Sequence, residues 1–162
     1  MHGVLQDLGS SLELRFERTF DVEPERLFAA ISEDAGLSQW YPTTIEGERR
    51  PGAALSLVFT ADDGPPLSGE VLEFESGRVF AFQEGDNTLR MEVEKAGGGS
   101  QLVFAHRFPK GGSAARTAAG WHVSLELLAN HLAGGGAQIN RELRFTELHG
   151  EYLSRFVEGV SA

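Results

Sequence analysis

The strongest constraint on the fold is one long segment late in the chain, SAARTAAGWHVSLELLANHLA at 113–133. Its apolar residues recur at intervals of three and four, the period of one helix face, whereas His122 and Glu126 fall off that face. Ser113 predicts the N-cap, and the glycine run at 134–136 predicts the helix end. The pattern therefore predicts one helix that packs on a sheet through Ala114, Ala118, Trp121, Leu125, Leu128 and Leu132.

Two neighbouring residues in the middle of this helix draw attention to its buried face. Gly120 costs a helix ~1 kcal/mol relative to alanine, which predicts that a backbone or a bulky ligand comes close. Trp121 lies beside it on the apolar stripe, either as a core residue or as the wall of a cavity. His122 and Glu126 lie four residues apart, and we expect them to form a solvated pair on the helix surface.

The segments before the long helix alternate between apolar and polar residues, which is typical of half-buried strands. Turn residues separate them, as at Ser76–Gly77 and within 62–66. Connections this short join antiparallel neighbours. The sequence thus predicts an α+β fold with a curved antiparallel sheet of about six strands, at 11–20, 53–60, 67–75, 78–83, 88–95 and 101–108.

Two short helices are also predicted after the first strand, and one further helix after the long one. Pro24 follows an acidic residue in the manner of a first helical turn, and a second short helix is expected at 34–40. Apolar residues spaced by three and four predict a terminal helix at about 141–160. At 162 residues the chain is expected to form a single domain over 1–162, with the terminal helix as an extension.

Composition excludes several classes of function. The chain has no cysteine, so disulfides, thiolate nucleophiles and cysteine-ligated zinc are excluded. The net charge of −10 disfavours nucleic acids and anionic membranes as partners. No segment has the length and apolarity of a membrane span, and the N-terminus lacks the pattern of a signal peptide. We therefore expect a cytoplasmic protein without membrane insertion.

Few residues are candidates for catalysis or metal binding. The five histidines do not share the spacing of a metal site, and the two lysines, Lys95 and Lys110, are expected in solvent. His106 is the best acid–base candidate, because it shares a strand face with Phe104. A single histidine without a placed partner is not a mechanism, and a hydrogen bond to backbone or carboxylate would explain it equally well. We predict no catalytic residue, no metal and no cofactor.

The order of these elements resembles the helix-grip fold of the START/Bet v 1-like (SRPBCC) superfamily. The resemblance is greatest to the branch named for the activator of Hsp90 ATPase homologue 1 (AHSA1), in its single-domain bacterial type. It spans 11–133, and the tail with Leu148 and Tyr152 resembles the extension of many bacterial members. The residues that carry it are FERTFDVEPERLFAAI at 16–31, Trp40, the strand pair TLRMEVE and LVFAHRF with His106, and Gly120–Trp121.

The resemblance implies an apolar cavity between the sheet and the long helix, which predicts binding of a hydrophobic small molecule. A cyclase- or hydrolase-type enzyme acting in that cavity is the first alternative. A co-chaperone-like interaction domain is the second, although the eukaryotic namesakes carry a further domain. The predicted ligand-binding residues are Trp40, Leu57, Phe59, Phe82, Phe104, His106, Trp121, Leu125 and Leu128.

Overall fold

A computed structural model describes residues 1–59 and 64–160, with side chains described as far as Val157. One antiparallel sheet has the strand order β1-β2-β8-β7-β6-β5-β4-β3. The strands are β1 (Val4–Asp7), β2 (Ser11–Phe20), β3 (Thr43–Glu46), β4 (Ala54–Phe59), β5 (Leu67–Glu75), β6 (Val79–Glu84), β7 (Asn87–Ala96) and β8 (Gly99–Pro109). The helices are α1 (Pro24–Ser32), α2 (Asp34–Leu37), α3 (Ala114–Leu132) and α4 (Arg141–Val160).

The register of the sheet aligns apolar side chains in rows across its inner face. Leu14 on β2 is opposite His106 on β8, which is opposite Leu89 on β7. Leu89 in turn is opposite Phe82 on β6, and Phe82 is opposite Val71 on β5. All five side chains are buried, because alternate residues of each strand face the same side of a sheet. His106 is therefore the one titratable member of this row.

The short helices after β2 form a corner against the sheet. α1 begins at Pro24, as predicted, because proline has no N–H to lose in a first turn. The indole Nε1–H of Trp40 donates to the Ala30 carbonyl oxygen at 2.9 Å, which ties the end of this corner back to α1. The guanidinium of Arg49 donates to the Ser32 carbonyl oxygen at 2.9 Å and joins the corner to the segment after β3.

The long helix α3 confirms the amphipathic prediction. Ser113 is its N-cap, and the hydroxyl accepts a hydrogen bond from the Arg116 N–H at 3.2 Å. Five of the six predicted stripe residues are buried, and the sixth, Ala114, is half-buried at the first turn. This face covers the inner side of the sheet, so that sheet and helix share one core.

The terminal helix α4 lies along α3 and closes over the N-terminus. Leu148 and Tyr152 are fully buried on its inner face. The Gly3 N–H donates to the Tyr152 hydroxyl at 2.8 Å, which holds the residue before β1 beneath the helix. A Cβ on Gly3 would lie 2.6 Å from the Phe16 ring, so only glycine fits this close approach.

The predicted α+β helix-grip architecture is confirmed, with eight strands in place of about six. The two strands that were not predicted, β1 and β3, have four residues each and form the two edges of the sheet. Segments this short show too little alternation to be recognised. The first part of the predicted turn at 62–66 lies outside the described residues. In the part of the chain that the structure describes, none of the helices has the length and apolarity needed to cross a membrane.

Candidate functional site

Trp121 lies at the centre of a cluster of aromatic and polar side chains between α3 and the sheet. Its ring centroid is 4.9 Å from that of Phe104 and 5.5 Å from those of Tyr41 and His106. Glu84 joins the group through Tyr41. We call these five residues the Trp121 cluster. Although Trp121 is only 9% exposed, it lies where the core meets the surface of α3.

A pocket of about 200 Å³ opens beside this tryptophan. Gly120 lies in its wall, and a Cβ on Gly120 would meet no atom within 4 Å. Among the described residues, no other backbone makes the expected close approach, and the glycine leaves open space. The residues that line the pocket are Pro42, Arg116, Thr117, Gly120, Trp121 and Ser124.

His106 faces the core, as strand parity predicts, and is 5% exposed. The Trp121 Nε1–H donates to its Nδ1 at 2.8 Å, so the partner is a side chain rather than the expected backbone or carboxylate group. Indole nitrogen only donates, so Nδ1 must carry the lone pair and the neutral ring carries its proton on Nε2. Burial lowers the pKa of His106 to about 4, which keeps the imidazole uncharged at neutral pH.

The Nε2–H of His106 has no hydrogen-bond partner among the residues that the structure describes. Buried donors in native proteins are almost always paired, because an unpaired one loses its hydration without replacement. Two other buried side-chain atoms of the described residues share this property, the Nη2 of Arg18 and the Oγ1 of Thr43. His106 differs from Arg18 in having a rigid ring, whose orientation the Trp121 hydrogen bond already fixes.

Tyr41 and Glu84 form a second buried polar pair in the cluster. The Tyr41 hydroxyl donates to the Glu84 carboxylate at 3.2 Å. Burial raises the pKa of Glu84, although the hydrogen bond from Tyr41 opposes the shift. Burial, followed by the charge of Glu84, raises the pKa of Tyr41 well above its usual value. Two titratable groups with shifted pKa values thus belong to the Trp121 cluster, a pattern common at functional sites.

Sequence reasoning missed this pair. The signal for Glu84 is strand parity, because it shares a face with Phe80 and Phe82 and breaks an otherwise apolar row. Tyr41 carries no comparable signal, since it lies in the irregular segment after α2. Only the folding of that segment onto β6 brings its hydroxyl to the carboxylate.

The predicted ligand-binding residues divide into two groups. Eight of the nine are buried and belong to the core that surrounds the cluster, or to the cluster itself. Phe59 differs, because it ends β4 at the sheet margin and is 40% exposed. The buried eight are Trp40, Leu57, Phe82, Phe104, His106, Trp121, Leu125 and Leu128.

The predicted solvated pair on α3 is wrong. His122 is only 5% exposed, because α4 and the N-terminus cover this face of the helix. Its Nδ1 lies 2.8 Å from the Tyr152 hydroxyl, which itself accepts from Gly3, and its Nε2 lies 3.5 Å from a Glu126 carboxylate oxygen. Burial is the main reason why the pKa of His122 falls to about 4. We call His122, Tyr152 and Gly3 the α4 cluster.

A larger pocket, of about 490 Å³, lies between β1 and α4. Its acidic residue, Asp7, is paired with Lys110 at 2.8 Å, and none of its lining residues contributes a buried polar atom without a partner. The pocket beside Trp121 is smaller, but its tryptophan is hydrogen-bonded to His106, whose Nε2 has no partner among the described residues, so we take it as the candidate site. Among the described residues, no three histidine, aspartate or glutamate side chains come together in a way that could hold a metal ion.

Solved structures with the same fold cover most of this chain. EF2215 from Enterococcus faecalis, described as a conserved protein of unknown function, is 14% identical, with a TM-score of 0.79 over 96% of this chain and 91% of that one. CalU16 from Micromonospora echinospora is 14% identical, with a TM-score of 0.73 over 94% and 93%. The protein encoded by gene BPP1335 from Bordetella parapertussis is 25% identical, with a TM-score of 0.72 over 95% and 90%.

A comparison with curated proteins finds no match. The family model described as activator of Hsp90 ATPase homolog 1-like protein matches residues 21–133. This range runs from the end of β2 to the end of α3 and so contains every member of the Trp121 cluster. Its match and the shared fold agree with the resemblance drawn from the sequence, and the chain belongs to the AHSA1-like family of the SRPBCC superfamily.

Proposed function

We propose that this protein binds a hydrophobic small molecule between the sheet and α3, with Trp121 as the central contact. The observation that carries the proposal is that Trp121 belongs both to the pocket wall and to the aromatic core. One side of Trp121 lines the pocket with Gly120 and Pro42, and the other packs on Phe104 and His106. A change in the indole orientation would extend the pocket into the aromatic core.

The chemistry of the surroundings supports an apolar ligand with few polar contacts. Phe104 and Phe82 present buried aromatic surface, and the polar groups of the Trp121 cluster are limited to His106, Tyr41 and Glu84. Small-molecule sites typically combine a mainly apolar lining with a few well-placed polar groups. A nucleotide or a metal ion would find no matching set of charges in this cluster.

A thermal-shift screen with fatty acids, aromatic compounds and polyketide-like compounds tests the proposal. A compound present at ~100 times its dissociation constant should add ~2.7 kcal/mol to the free energy of unfolding. Trp121→Ala should abolish the shift, whereas Leu143→Ala on the exposed face of α4 should retain it. If only highly polar or multiply charged compounds stabilise the protein, the proposal of an apolar site is wrong.

The Tyr41–Glu84 pair favours one second candidate, an enzyme that moves a proton on a ligand held in the same site. A carboxyl group with a raised pKa can act as a general acid or base near neutral pH. The Tyr41 hydroxyl, 3.2 Å away, would orient that carboxyl group. This arrangement supplies the partnered acid–base group that the sequence alone did not reveal.

Turnover assays on any compound found in the screen separate the binder from the enzyme. For an enzyme, Glu84→Gln should reduce turnover by ~10²–10⁴-fold while binding changes little. For a binder, no turnover is expected with either protein, and His106→Gln should change affinity only by the ~0.5–1.5 kcal/mol of one hydrogen bond. A collapse of turnover in Glu84→Gln would establish the enzyme as the correct function.

A further inference from the structure

The hydrogen bonding of His106 indicates that the site lacks an acceptor for one buried donor. Its Nδ1 accepts from Trp121 at 2.8 Å, so the proton of the neutral ring must be on Nε2. That Nε2–H is enclosed in the core and has no acceptor among the described residues. An unpaired buried donor is costly, and a bound oxygen acceptor would remove the cost.

The surroundings of this donor also define the charge of a suitable acceptor. Glu84 is 9% exposed and its hydrogen-bond partner is the uncharged Tyr41 hydroxyl. Among the described residues, no lysine or arginine forms an ion pair with that carboxylate. A ligand carboxylate at His106 would enter a buried cluster that already holds one carboxyl group without a basic partner among the described residues. A neutral acceptor avoids this repulsion.

The donor lies close to the surface, although its own atoms are enclosed. His106 is three residues from the end of β8, and the ring of Phe108, further along the same face, is 5.0 Å from the imidazole. Phe108 and Trp121 are among the slightly exposed members of the core, whereas Phe104 beneath them is fully buried. Movement of the two outer rings would give a ligand from the pocket a short path to His106.

We propose that His106 selects the ligand through its Nε2–H, which donates to an uncharged carbonyl oxygen. The bound compounds would then be apolar ketones or esters rather than hydrocarbons or carboxylic acids. This inference rests on the proposed binding of a hydrophobic small molecule. It adds the functional group that the molecule must carry and the residue that recognises it.

Three compounds with one aromatic skeleton provide the test: acetylnaphthalene, ethylnaphthalene and naphthoate. Calorimetric titration of the wild-type protein should show acetylnaphthalene bound ~5- to 10-fold more tightly than ethylnaphthalene, the factor expected of one buried hydrogen bond. Naphthoate should bind more weakly than either. The imidazole NMR signal of His106 Nε2–H should shift on addition of the ketone and stay unchanged with the hydrocarbon.

The double variant His106→Leu/Trp121→Phe removes both members of the hydrogen bond, so neither side chain is left as an unpaired polar group. We expect it to bind ethylnaphthalene and to lose the preference for the ketone. His106→Met retains the tryptophan, lacks a side-chain donor and should lose the same preference. The matched control is His122→Gln, which replaces the buried histidine of α3 on the far side from the pocket and should retain the preference.

The outcomes separate this inference from the proposed function. Equal binding of ketone and hydrocarbon by the wild-type protein would overturn the role of His106 and leave the apolar site standing. A ketone preference that survives in both His106 variants would overturn it as well. Tightest binding of naphthoate would identify the exposed Arg116 at the pocket rim as the selecting group. If none of the three compounds binds, the inference and the proposed function both fail.

Discussion

Two buried histidines, His106 on β8 and His122 on α3, are similar in their lowered pKa values but differ in their hydrogen-bond partners. Burial lowers the pKa of both His106 and His122 to about 4. In the α4 cluster, His122 has a close partner or neighbour at each nitrogen, Tyr152 at one and Glu126 at the other. In the Trp121 cluster, one nitrogen of His106 has none among the described residues. A lowered pKa therefore marks burial in both places, and only the unpaired nitrogen marks a site.

The order of hydrogen bonds in the α4 cluster explains why that region is structural. Gly3 donates to the Tyr152 hydroxyl, which is also hydrogen-bonded to His122 Nδ1 at 2.8 Å. Three separate parts of the chain, the N-terminus, α3 and α4, are joined by this arrangement. Among the described residues, no buried side-chain nitrogen or oxygen of this cluster lacks a hydrogen-bond partner, whereas the Trp121 cluster contacts a pocket and contains the unpaired Nε2 of His106.

The largest expected effect is at Trp121. Trp121→Ala should reduce the free energy of unfolding by ~3–5 kcal/mol, because it removes a large, mostly buried aromatic side chain that packs on Phe104, Tyr41 and His106. It would also leave His106 Nδ1 without its donor. Chemical denaturation measures the loss. A value below about 1 kcal/mol, which is typical of surface positions, would mean that this face of α3 is not the core face.

Acid should destabilise both clusters through the two histidines. The pKa of each falls from 6.5 in the unfolded chain to about 4 in the folded protein, so the unfolded chain binds more protons between these values. Stability should therefore fall as the pH decreases from 6.5 to 4, by up to about 3 kcal/mol for each histidine.

The difference between wild type and His122→Gln isolates one of these contributions. The raised pKa of Glu84 acts in the opposite direction, but it is present in both proteins and cancels in the difference. The stability advantage of the wild-type protein should shrink as the pH falls through this range. An advantage that is constant with pH would show that His122 is not buried in its neutral form.

The next prediction tests whether the α4 cluster contributes to folding stability and not to ligand binding. Tyr152→Phe leaves the Gly3 N–H unpaired and should cost ~1–3 kcal/mol in unfolding free energy. Ligand affinity should stay unchanged, because the Tyr152 hydroxyl is on the opposite side of α3 from the pocket. Leu153→Ala, an exposed position on the same helix, is the control for stability. A loss of ligand binding in Tyr152→Phe would remove the distinction between the two clusters.

The smallest effect is at the rim of the α4 cluster. Arg144 donates to both carboxylate oxygens of Glu126 at 2.8–3.1 Å, but both side chains are about one-third exposed. Arg144→Ala should therefore cost at most ~1 kcal/mol. High salt should reduce the difference from wild type, because screening weakens exposed ion pairs. A larger, salt-independent loss would show that α4 depends on this pair more than on Tyr152.

The architecture of this protein follows from periodic patterns that are visible in its sequence. The apolar stripe of α3 and the alternation along the longer strands are local periodic patterns, and burial of one face follows from each of them. Parity alone placed His106 on the inner face beside Phe104. The two edge strands were not predicted, because a strand of four residues shows too little periodicity.

The pairing of the buried polar groups, in contrast, depends on contacts between distant parts of the chain. His122 lies off the apolar stripe of α3, so the sequence predicts that it is in solvent. It is buried because α4, about 30 residues later, packs over it. Tyr41 and Glu84 are 43 residues apart and meet only after the segment following α2 folds onto β6. The pairing of His106 likewise depends on a tryptophan 15 residues away on another element. Periodicity reports the face on which a side chain lies, whereas a hydrogen bond depends on which distant segment covers that face.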